Sequence, residues 1–192
     1  MTDFEKNSCV LVKGFIDPQG IQTISRYMEY SLKQNALVRD ETDVGAPSYS
    51  RYADPLIETV LRNSLEHMEE ITGKKLYPTY SFSRVYVKGD FLKPHVDRPS
   101  CEISVTVHVA TVGESWPIWM KVQGQEPVKM VLEPGDAVVY KGCEVTHWRD
   151  VADKTEVNAQ FMLHYVDQNG PNANHKFDKR PELGMASNAR SM

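Results

Sequence analysis

Dense runs of lysine and arginine are absent from this 192-residue chain, whose 22 basic and 26 acidic residues leave a formal net charge of −4. That speaks against a basic nucleic-acid-binding surface. The nearest approach to one, Lys176, Lys179 and Arg180, is diluted by Asp178 and reads as a solvated tail. Long apolar runs are lacking too. After a charged start, Cys9 to Val12 is too short for a signal peptide or a membrane span. Cysteine is scarce: Cys9, Cys101 and Cys143 are odd in number and far apart. They offer no disulfide framework and no zinc-ligand pair, which fits a reducing compartment. No internal repeat or low-complexity block is evident. The expectation is a cytoplasmic protein with neither nucleic acid nor membrane as partner, its oligomeric state left open.

The 41% of hydrophobic residues suit one domain with a real core, spanning residues 1–192. A strand is expected over 9–16. Asp17-Pro18 then pairs an N-cap with proline at the first helical position, and Ile21, Ile24, Met28 and Leu32 recur at helical spacing over 18–34. Residues 35–53, with Gly45 and Pro47, read as a loop. Asp54-Pro55 repeats the helix start, and one helix runs to a stop at Gly73. The helical part thus covers about 17–73. From about 76 to 166 the period becomes that of strands, roughly eight of them, separated by Gly, Pro and Asp turns. Two N-terminal helices before such a set predict a mainly β fold, a sandwich or jelly roll with helices packed on one sheet. The tail 167–192 is expected to be extended.

The chemistry concentrates in Lys93-Pro94-His95-Val96-Asp97-Arg98. On a strand, residues two apart share a face, so His95 and Asp97 offer an imidazole nitrogen and a carboxylate oxygen side by side. Alone, that spacing is common. A third donor arrives at His147, after the Glu133-Pro134-Gly135-Asp136 turn, a buried strand and a second turn at Gly142. Two histidines and one carboxylate make the facial triad that holds ferrous iron and leaves three positions open. Between them, Ile103, Val105, Val107 and Val109 alternate with Ser104, Thr106 and His108. That polar face suits the lining of a cavity.

From Tyr80 to Tyr165 the chain resembles the Fe(II)- and 2-oxoglutarate-dependent oxygenases, in particular the prolyl 4-hydroxylase-like branch. Arg84-Val85-Tyr86, Gly89-Asp90, Pro94-His95-Val96-Asp97, Pro134-Gly135-Asp136 and His147-Trp148-Arg149 carry the resemblance. It implies a double-stranded β-helix, iron ligation by His95, Asp97 and His147, and 2-oxoglutarate and O2 as cosubstrates. It further implies hydroxylation of a prolyl, peptidyl or amino-acid-like substrate with release of succinate and CO2. One departure stands out. Where the family places a basic residue on the strand after the distal histidine, this chain has Glu156, Val157 and Asn158. The anchor for the distal carboxylate of 2-oxoglutarate is therefore sought in Arg84, beside Tyr86 on one strand face, then in His108 and Arg149, with Asn158 and Gln160 as amide donors. Arg98, Trp148 and Arg149 are candidates for the substrate side. A cupin-like protein holding a metal or small ligand without turnover is the alternative.

Overall fold

A computed structural model describes residues 1–40 and 44–185. Residues 41–43 of the expected loop and 186–192 of the expected tail lie outside the described residues. The chain runs α1 (Asp3–Asn7), β1 (Cys9–Val12), α2 (Pro18–Lys33), β2 (Val38–Asp40), β3 (Ser48–Tyr52), α3 (Pro55–Asn63) and α4 (Leu65–Thr72). Strands β4 (Leu76–Val87), β5 (Leu92–His95), β6 (Ile103–Gly113), β7 (Ile118–Lys121) and β8 (Val128–Met130) follow. The last three are β9 (Ala137–Lys141), β10 (Thr146–Arg149) and β11 (Thr155–Asp167).

Two antiparallel sheets form. The larger has the order β1-β9-β6-β11-β4-β3-β2 and the smaller β5-β10-β7-β8. This is a double-stranded β-helix, with helices on one sheet. Its main core lies between those helices and the outer face of the larger sheet, where Ile24, Met28, Ile57, Leu61 and Met68 meet Val105, Val107 and Phe161. A smaller apolar cluster, including Ile118, Met120, Val138 and Tyr140, joins the two sheets.

The helix starts follow their caps. Asp17 accepts from the amides of Gln19 and Gly20 at 3.0 Å each, and Asp54 accepts from Leu56 and Ile57. Gly73 closes α4 in the left-handed region at φ +70°. The second helix is broken at Ser64, which caps α3 and opens α4. The 35–53 segment is more ordered than a loop: β2 and β3 pair with each other, and β3 extends the sheet beyond β4.

The C-terminal segment also departs from expectation. Residues 173–179 form a kinked 3-10 turn, and Arg180 is buried against Glu58 and the Thr79 carbonyl. Asp178 receives two hydrogen bonds from Arg98 and one from Tyr52. Arg180 is thus a buried ion-pair partner rather than part of a solvated tail.

Candidate metal and cosubstrate site

His95 ends β5 and stands directly opposite His147 of β10, with ring centroids 4.2 Å apart. Asp97 lies two residues beyond the strand end, its amide held by the Gly142 carbonyl at 2.8 Å. One donor atom from each of the three side chains lies within 4.8 Å of the others. Oδ1 of Asp97 is 3.7 Å from Nε2 of His95 and 3.6 Å from Nε2 of His147. One ion at ordinary ligand distances of about 2.1 Å can touch all three.

The tautomers suit ligation. Nδ1 of His95 lies 2.8 Å from the Lys93 carbonyl and Nδ1 of His147 lies 3.1 Å from the Val145 carbonyl. A carbonyl only accepts, so each Nδ1 carries the proton and each Nε2 presents its lone pair to the centre. Burial lowers the pKa of both rings, that of His147 to about 4. Burial also raises Asp97 to about 6, against the opposing pull of Ser104, His95 and Arg98. A desolvated carboxylate beside two uncharged imidazoles is a cluster short of positive charge, and a divalent cation fits it.

The three donors open on a cavity of about 520 Å³ that Arg84, Tyr86 and Gln160 also line. Arg84 is 9% exposed, and among the described residues no carboxylate pairs with it. Its Nη1 donates to the Tyr86 hydroxyl at 2.9 Å, while its Nε is buried without a partner. Because Tyr86 accepts there, its own O–H remains available to donate. A buried guanidinium without an anion is costly, and a ligand carboxylate is its natural complement. Gln160 faces Arg84 across the β11–β4 ladder. Its Oε1 accepts from Arg149 at 2.7 Å, which leaves the amide NH2 as its donor group.

Of the remaining sequence candidates, Arg98 lines the cavity while Arg149, His108, Asn158 and Trp148 do not. Arg149 is buried behind Gln160 and also donates to the Trp116 carbonyl; burial lowers its pKa to about 10. His108 and Asn158 are not cavity walls: both bond Thr111, and burial lowers His108 to about 4. Trp148 follows His147 and so points to the opposite sheet face, stacked on Trp119 at 5.8 Å. Arg98 reaches the cavity wall, but its guanidinium is committed to Asp178 and the Tyr80 ring. His164, Cys101 and Tyr140 are among the cavity residues that the sequence candidates did not include. His164 is placed there by its ladder pairing with Ser104, which no local sequence signal announces.

No family model and no curated protein matches the chain. Solved structures do. A Pseudomonas putida prolyl-4-hydroxylase superimposes with a TM-score of 0.68 at 12% identity, over 84% of this chain and 95% of that one. The fold is that of the 2-oxoglutarate, Fe(II) oxygenases. The epimerase SnoN from nogalamycin biosynthesis, solved with Fe3+ and alpha ketoglutarate, gives 0.70 at 14% identity over 95% of this chain and 89% of that one. A prolyl hydroxylase from Trichoplax adhaerens, in complex with a hypoxia inducible factor peptide fragment, gives 0.65 at 13% identity, covering 86% of each. At these identities the likeness establishes this oxygenase fold alone.

Proposed function

We propose that the protein is an Fe(II)- and 2-oxoglutarate-dependent dioxygenase that hydroxylates a prolyl or other peptidyl side chain. One observation carries this reading: two Nε2 lone pairs, a carboxylate and an unpaired arginine face a single cavity. His95, Asp97 and His147 would hold the metal on one side and leave the other free for reactants. When bound, Fe(II) with 2-oxoglutarate and O2 supplies oxidative decarboxylation to succinate and CO2, with the second oxygen atom going to a substrate C–H bond.

The chain's own part is placement. Arg84 receives the distal carboxylate of 2-oxoglutarate, with the Tyr86 O–H and the Gln160 amide as further donors. Arg149 keeps Gln160 turned so that its amide, not its oxygen, meets the anion. Phe82, Leu92, Val96 and Met162 give the cavity its apolar surface.

The same walls bear on substrate. With Arg84 assigned to the cosubstrate and Arg98 tied to Asp178, no cavity cation among the described residues is left for the carboxylate of a free amino acid. An uncharged side chain within a peptide fits better. The test is an anaerobically loaded protein given Fe(II), 2-oxoglutarate and O2, with succinate measured and candidate peptides scored by mass for gain of one oxygen. Succinate from the wild type and none from Asp97→Ala supports the proposal. Metal and 2-oxoglutarate binding with no succinate under any peptide favours a ligand-holding protein instead.

A further inference from the structure

Behind the Asp97 carboxylate, on the side away from the two imidazoles, lies a second polar group of residues. Oγ of Ser104 is 2.8 Å from Oδ2 of Asp97, 3.1 Å from the Cys101 carbonyl and 3.0 Å from Nδ1 of His164. Ser104 and His164 are direct partners across the β6–β11 ladder, so the backbone fixes their approach. Both are buried, and the Tyr80 ring backs the imidazole with centroids 4.5 Å apart. Gly142 closes the group from behind.

Ser104 has one hydroxyl hydrogen and three neighbours. The carboxylate and the carbonyl only accept. The shortest contact goes to the group with charge, where a hydrogen bond is strongest. With that hydrogen committed to Asp97, lone pairs on Ser104 and His164 would oppose each other unless Nδ1 of His164 carries a proton. A neutral ring that donates from Nδ1 leaves Nε2 bare.

We infer that His164 and Ser104 form a directed hydrogen-bond relay, His164 Nδ1–H to Ser104 O–H to Asp97 Oδ2, that holds Asp97 as a ligand through Oδ1 alone. The inference rests on Asp97 being a metal ligand and adds what sets its orientation. With Oδ2 tied back, the carboxylate takes one coordination position instead of two, which preserves the places that 2-oxoglutarate and O2 need. Ser104 and His164 are positioning residues and touch no reactant.

The experiment measures Mn2+ binding by calorimetry and His164 ring nitrogens by 15N NMR. Wild type binds one equivalent and Asp97→Ala none; failure of that pair removes the metal reading itself. Ser104→Ala is expected to weaken Mn2+ binding by about 10- to 100-fold, the usual effect of losing a ligand's supporting partner. His164→Asn, whose amide NH2 replaces Nδ1–H, retains affinity within about threefold, whereas His164→Gln, whose amide falls at the Nε2 position, does not. The wild-type spectrum shows Nδ1 protonated and Nε2 bare. Wild-type affinity in Ser104→Ala, equal loss in the two His164 variants or an Nε2–H tautomer would each overturn the relay. The tautomer is read on the wild type, so it stands even if a variant fails to fold.

Discussion

Gly142 lies against Asp97 so closely that a Cβ on it would stand 2.7 Å from Oδ2 of the carboxylate. The same Cβ would meet Oγ of Ser104 at 2.8 Å and the Cys101 carbonyl oxygen at 2.0 Å. Gly142 is not among the glycines with positive φ, so space rather than backbone conformation demands glycine here. Its carbonyl holds the Asp97 amide, and its own amide donates to the Glu102 carbonyl.

Gly142→Ala is therefore expected to displace Asp97 from both sides, through its side chain and through its amide. Overpacking of this kind costs about 1–3 kcal/mol of stability. The sharper consequence is for the ion, since the carboxylate can no longer meet His95 and His147 together. Mn2+ titration of the folded variant should show binding weakened by more than about tenfold. An affinity equal to wild type would mean that the carboxylate does not depend on this wall.

Arg84→Ala removes the cavity's unpaired guanidinium and leaves the three metal-facing donors in place. A hydrogen bond to a charged group contributes about 1.5–3 kcal/mol, so 2-oxoglutarate should bind roughly 10- to 100-fold more weakly in the presence of Mn2+. Mn2+ affinity without 2-oxoglutarate should stay near wild type. Calorimetry with the two ligands added separately tests both statements. Unchanged 2-oxoglutarate affinity would take Arg84 out of the site and return attention to Arg149.

These two sites mark where local pattern suffices and where it does not. His95 and Asp97 are two residues apart at the end of a strand, and the alternation of Ser104 and Thr106 with Val105 and Val107 is a period-two signal that any strand displays. What local pattern lacks is which strand lies beside which. The pairing of His95 with His147, and of Ser104 with His164, joins residues distant in sequence through the ladders. Local pattern alone therefore does not distinguish His164 from an ordinary core histidine. Strands β2 and β3 escaped notice because Gly45 and Pro47 flank a polar and aromatic run, Ser48 to Tyr52, without hydrophobic alternation. It is the β4 edge that organises them.

Arg180 shows the same limit on the stability side. Glu58 sits in α3 and is 2% exposed, and its carboxylate accepts from Arg180 and from the Gly184 amide. Arg180→Met leaves that buried carboxylate with no cation among the described residues. Breaking a buried pair from one side costs about 3–5 kcal/mol, while replacing both partners with apolar residues costs far less. Urea denaturation should show Arg180→Met strongly destabilised and the double variant Glu58→Leu/Arg180→Met recovering much of the loss. A double variant less stable than the single one would argue that the segment is held by its backbone contacts instead.

Asp178, next to that ion pair, gives the C-terminal segment a pH dependence of definite sign. Burial pushes its carboxyl up, but the hydrogen bonds from Arg98 and Tyr52 outweigh burial and hold its pKa below the usual carboxylate value. A carboxylate depressed on folding adds stability that is fully present above the unfolded pKa of about 3.9 and is lost as pH falls through the folded value. Asp178→Asn keeps the shape and removes the charge. Other carboxylates titrate in both proteins, so the difference in Tm between wild type and variant isolates Asp178. That difference should be flat from about pH 8 down to about pH 5 and shrink progressively below about pH 4. A gap that stays constant into strong acid would show that Arg98 and Tyr52 hold Asp178 without regard to its charge.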